Sequence, residues 1–112
     1  MEDFERKVIG DVTVEIVNLT RATSKEAGTF KDILKKDIDR QIKKIIIDLS
    51  QCEFIDSTFT GVLVLALKDV IKMGGKLRVV SPSSIAHSVL EKTNTLRIFN
   101  VLDSLDDATN SF

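Results

Sequence analysis

The chain has 112 residues, 43% of them hydrophobic, and 16 basic against 17 acidic side chains, for a formal charge of −1. That length suits one compact domain spanning 1–112, and the balanced charge supplies no field to draw the chain onto nucleic acid or an anionic membrane, so specific protein partners are expected instead. No apolar run approaches the ~20 residues that span a bilayer, and the opening Glu2, Asp3 and Glu5 lacks the cationic and apolar regions of a signal peptide, which makes a cytoplasmic protein the expectation.

Residues Phe4 to Ile9 and Val12 to Val17 alternate apolar with polar and are rich in Val and Ile. Gly10-Asp11 between them predicts a two-residue hairpin turn, so the chain opens with antiparallel strands. Thr23 followed three residues later by Glu26 reads as a capping box, and Ala27, Phe30, Leu34 and Ile38 recur at helical spacing, which predicts a helix over about 24–40. Its other face carries Lys31, Lys35, Lys36, Asp37 and Arg40, read as a solvated face with basic residues gathered toward the C-terminal end, where the helix dipole favours them.

Lys43 to Leu49 contains Ile45, Ile46 and Ile47 in succession, which suits a strand covered on both faces. Cys52 is the only cysteine; it has no partner for an internal disulfide or a thiolate metal site and reads as a small buried apolar residue. The run from Val62 to Ile71 is strongly apolar and closes at Gly74-Gly75, the pattern of a helix with a glycine stop. Lys76 to Val80 predicts another strand, ended by Ser81-Pro82. A third helix capped by Ser83 or Ser84 follows, with Ile85, Ala86, Val89 and Leu90 on one side. Arg97 to Leu102 reads as a brief strand, and Asp103, Asp106 and Asp107 fit the first turn of a last short helix. This order predicts an α/β fold: a small mixed β-sheet with an opening antiparallel hairpin, right-handed crossovers and about four helices. Ligands and partners of such sheets gather at the carboxyl ends of strands, where the loop Gln51 to Thr58 falls.

That loop leads into Asp56-Ser57-Thr58 at the start of the apolar helix. With Ser57 or Thr58 as N-cap, a hydroxyl would satisfy an orphaned first-turn amide and stabilise the helix by roughly 0.5–2 kcal/mol. The same place would hold a phosphate on Ser57 among free amides at a helix N-terminus, next to Asp56, where about −1.5 to −2 added charges would disfavour any interface that buries the junction.

Asp-Leu-Ser at 48–50, Phe-Ile-Asp-Ser-Thr at 54–58 and Gly-Val-Leu-Val at 61–64 together resemble the signature of the STAS domain family, anti-sigma factor antagonist type. The hairpin, the helices and the strands follow in family order over nearly the whole chain. The resemblance implies that Ser57, with Thr58 as the alternative acceptor, is phosphorylated by a partner serine kinase, the anti-sigma factor. It implies that the unphosphorylated form binds that kinase and releases a sigma factor to act on transcription, that a serine phosphatase resets this partner switching, and that Asp56 helps form the recognition site.

Two departures from the family pattern stand out. Phe59-Thr60 replaces a glycine and an apolar residue, which puts Phe59 either in the core or beside Ser57 as an exposed anchor. The segment Leu19 to Ser24 lacks the usual acidic residue and carries Arg21, either a positive charge near Asp56 or a plain surface arginine. The expected partner-binding set is therefore Arg21, Asp56, Ser57, Thr58, Phe59 and Thr60.

His87 is the only histidine, and no zinc ligand set, phosphate loop or dinucleotide-binding turn accompanies it. No cofactor or metal is expected, and the chain reads as a kinase substrate rather than an enzyme. From Val62 to Leu67 the helix is apolar on nearly all sides, so either neighbouring elements or a partner cover it. This keeps open a non-switching STAS interaction subunit of a larger signalling complex. A small-ligand-binding STAS module is the third possibility.

Overall fold

The computed structural model describes residues 2–80 and 100–112. In chain order the elements are β1 (Phe4–Ile9), β2 (Val12–Val17), β3 (Arg21–Ala22), α1 (Ser24–Asp39), β4 (Lys44–Asp48), β5 (Phe54–Ile55), α2 (Ser57–Lys72), β6 (Lys76–Val80), β7 (Asn100–Leu102) and, at 105–109, α3. The expected helix at Ser83, with His87, lies outside the described residues, as do residues 97–99 of the expected strand.

Five strands form one sheet in the order β1-β2-β4-β6-β7. The β1–β2 pair is antiparallel and the others are parallel, giving the mixed sheet expected from the sequence. Ile9 pairs with Val12 across the hairpin, and Gly10 takes φ 61° while Asp11 stays out of the positive region, as in a II′ turn. The triple isoleucine in β4 follows from burial on both sides. Ile45 and Ile47 join the core under α1 and α2, whereas Ile46 joins Val12, Val14 and Val80 on the opposite face, where α3 contributes Ala108.

Both long helices end in Schellman motifs. After α2, Gly74 N–H donates to the Ile71 carbonyl and Gly75 N–H to the Val70 carbonyl, with Gly74 at φ 80°. Gly75 is required for a different reason, since a Cβ there would lie 2.6 Å from the Lys43 carbonyl oxygen. After α1, Gln41 and Ile42 donate to the Ile38 and Asp37 carbonyls, but the left-handed position is held by Gln41 at φ 61°. The capping box of Thr23 and Glu26 is present at the start of α1.

Asp37 departs from the expected solvated face. It lies on the buried stripe of α1 with Ala27, Phe30 and Leu34, because positions 27, 30, 34 and 37 follow the helical repeat, and Arg6 of β1 meets it there at 3.2 Å.

Candidate functional site

Two short strands that the sequence does not announce shape the site. β3 and β5 pair in parallel, with Arg21 opposite Phe54 and Ala22 opposite Ile55. The Thr20 carbonyl accepts from the amides of Glu53 and Phe54, and the Ala22 carbonyl from the amide of Asp56. Strands of two residues carry no readable period, so only the runs either side of them were legible. This ribbon fixes the entry to α2 next to the start of α1.

Asp56, not Ser57 or Thr58, is the N-cap of α2. Its Oδ1 accepts from the Phe59 amide at 2.8 Å, and its backbone carbonyl accepts from Thr60 Oγ1 at 2.8 Å. Its Oδ2 accepts from the amide of Ser24 at 2.7 Å, the first residue of α1. One carboxylate thus brackets the N-termini of both long helices, a role that satisfies orphaned amides at two positive helix ends. Asp, Ser and Thr are all good caps, and none of the three is followed by Glu or Gln three residues later, so the sequence held no signal to choose among them.

With Asp56 as cap, Ser57 and Thr58 become the first two helical residues, and both are exposed. Neither hydroxyl is committed to capping, so both are free to face a second molecule. Phe59 and Thr60 are buried instead. Phe59 stacks on Phe30 with ring centroids 5.2 Å apart, and Phe30 stacks on Phe4 at 4.9 Å, so three rings join α2, α1 and β1. The core position, rather than the exposed anchor, is the one Phe59 takes. Phe59 and Thr60 therefore support the Ser57 surface from beneath and cannot touch a partner directly. Arg21 is exposed, and its guanidinium lies 4.4 Å over the Phe54 ring, a cation–π contact at the margin of the same junction. Its charge rests on Phe54, while both oxygens of Asp56 are occupied by backbone amides.

The apolar excess of α2 divides in two. Phe59, Leu63, Ala66, Leu67 and Val70 are buried, whereas Leu65 and Ile71 are 54% and 60% exposed. Leu65 forms one lip of a groove between α1 and α2 that begins at Ser24, Gly28, Thr58 and Gly61, beside Ser57. Past Lys31 it continues over Leu34, Ile38 and Ala66 to Asp39 and Asp69. Gly28 and Gly61 face open space where the groove meets the junction.

Cys52 is buried, and burial, helped by the charge of Asp48, pushes its thiol up to about 12, far from a reactive thiolate. Among the described residues no group of three or more His, Cys, Asp or Glu is placed to hold a metal ion, and no helix is long and apolar enough to cross a membrane.

Comparison with known proteins agrees with this architecture. A family model described as the STAS domain matches residues 11–108. A Thermotoga neapolitana protein provisionally named an anti-sigma factor antagonist homolog is 33% identical over 106 residues, 94% of this chain and 93% of that protein. The crystal structure of a Thermotoga maritima protein, provisionally named an anti-sigma factor antagonist, matches with TM-score 0.85 and 31% identity over 96% of this chain and 92% of the other. The Bacillus cell fate determinant in its phosphorylated form shares 13% identity with TM-score 0.74, covering 96% of each chain, a likeness of fold alone.

Proposed function

Since the chain belongs to the STAS domain family, we propose that it is an anti-sigma factor antagonist working by partner switching in the cytoplasm. Unphosphorylated, it binds an anti-sigma serine kinase through Ser57, Thr58, the flanking Arg21 and the mouth of the α1–α2 groove, which frees a sigma factor. The kinase phosphorylates Ser57, the complex dissociates, and a serine phosphatase restores the binding form. In this reading the chain is a substrate and not a catalyst.

The observation that carries the reading is the exposed hydroxyl of Ser57 at the first position of α2, released from capping by Asp56. Its consequence is electrostatic. A phosphate there gains from the helix N-terminus but adds about −1.5 to −2 charges close to the Asp56 carboxylate. Within the folded chain those charges remain solvated; within an interface they would be desolvated beside a like charge. Phosphorylation therefore weakens docking without needing to unfold anything.

Mass spectrometry of the intact chain and its peptides tests this, after incubation with ATP and a soluble extract of the native cells, alongside Ser57→Ala. One phosphate mapping to Ser57 and missing from the variant is expected. A phosphate that maps to Thr58 would move the switch by one residue. No modification, with the extract active on a control substrate, would leave the second reading, a constitutive interaction subunit. The exposure of Leu65 in the groove is the observation that favours that alternative.

A further inference from the structure

One acid sits inside the apolar layer between the sheet and the two long helices. Glu15, central in β2, is 3% exposed and lies opposite Arg6 on β1 and Ile47 on β4. From above comes Asp37 of α1, 2% exposed, with Oδ1 held by Arg6 Nη2 at 3.2 Å. Both acidic side chains line one cleft together with Arg6. Written as carboxylates, each leaves one buried oxygen, Glu15 Oε2 and Asp37 Oδ2, without a hydrogen-bond partner.

Two facing anions out of water repel strongly, and the half-exposed Arg6 compensates only one of them. Unpartnered buried oxygens add a desolvation cost of their own. A single proton removes both faults, because a protonated Glu15 becomes a donor and Asp37 keeps the charge that Arg6 neutralises. Among the described residues neither carboxyl has a second ion-pair partner. The cleft beside the pair is lined by Glu5 and Arg6 from β1 and by Lys36, Asp37 and Arg40 from α1, while β4 presents apolar Ile47. The cations of that rim disfavour a metal ion as the neutralising group.

We propose that Glu15 and Asp37 hold one proton between them, Glu15 donating from Oε2 to Asp37 Oδ2, and that this proton-binding site latches the β1–β2 hairpin to α1. Burial, reinforced by the hydrogen bond and charge of Asp37 and opposed by Arg6, pushes the Glu15 carboxyl up to about 9. When the proton leaves for solvent, the three side chains are left with one surplus negative charge under α1, and the latch opens. The same helix supplies, from its first residue, the Ser24 amide that Asp56 holds.

Carbon-detected NMR of the chain labelled at glutamate side chains reads the state of Glu15 directly. Its carboxyl carbon is expected to titrate roughly two pH units or more above the ~4.3 of an ordinary glutamate. In Asp37→Asn the midpoint should move toward acid, because a charge that raises it is gone. Glu15→Gln keeps a donor for Asp37, so its melting temperature at neutral pH should hold while the native chain's decline in stability between about pH 4.5 and 9 flattens. Titration of Glu15 together with the other glutamates would overturn the proposal. So would saturable shifts of both carboxyl carbons on adding Mg²⁺ or Ca²⁺ at neutral pH, which would put a metal where the proton is placed. If Glu15→Gln does not fold, the titration of the native chain decides alone.

Discussion

Asp56 and Ser57 are adjacent, yet their substitution should have opposite kinds of effect. Asp56→Ala strips the acceptor from the Phe59 and Ser24 amides and unties the two helix starts, so a loss of about 1–3 kcal/mol in urea unfolding is expected. Ser57→Ala removes an exposed hydroxyl that caps nothing and should stay within about 0.5 kcal/mol of the native chain. Equal losses in the two variants would show that the cap has been placed on the wrong residue. Gln41 offers an independent check on backbone strain. A non-glycine residue in the left-handed region costs on the order of 1 kcal/mol, so Gln41→Gly should raise the unfolding midpoint by a comparable free energy, less the entropy glycine loses on folding. Residues of this kind were the hardest to read from sequence. Asp37 looked like a surface charge, and Arg21, exposed as one of its two readings had it, gave no hint of the Phe54 ring, because nothing in a charged side chain's identity reveals what waits across the fold. Asp37 alone left a trace, its place on the 27-30-34-37 repeat.

Among the elements, the long ones were legible and the short ones were not. The hairpin, α1, β4, α2 and β6 each carry enough repeats of their own period to declare themselves, and Gly10, Thr23 and Gly74 mark their ends. β3 and β5 do not, although they align the junction that makes the site. The contact of β2 with α1 carries a pH signature. Because the folded Glu15 pKa is raised, the folded chain holds a proton that the unfolded chain has released, over the span from about 4.5 to about 9. Stability from this group is therefore full below the ordinary carboxylate range and is lost as pH rises through about 9. The slope from one proton cannot exceed about 1.4 kcal/mol per pH unit. Thermal unfolding across that interval should show the decline, and a stability that rises steadily into alkali would contradict it.

At the scale of the whole molecule, the sheet divides two apolar layers, and the layer under α1 and α2 ends outwardly in the groove that Leu65 borders. The proposed switch and this groove are continuous, so a partner docked at Ser57 would extend over both. Leu65→Asp should cost unfolding only about 1 kcal/mol, since the side chain is already half in water, and weaken the isolated kinase complex by about tenfold or more. Undiminished affinity by calorimetry would exclude the groove from the interface. Among the described residues β1 is an open margin of the sheet. It presents Glu5, Arg6 and Lys7 along its exposed length. Strands as rich in isoleucine and valine as β4 and β6 are natural templates for fibre growth, and a margin of mixed charge gives an incoming strand little to extend. The protein can thus expose an apolar groove to a partner and still discourage strand addition along β1.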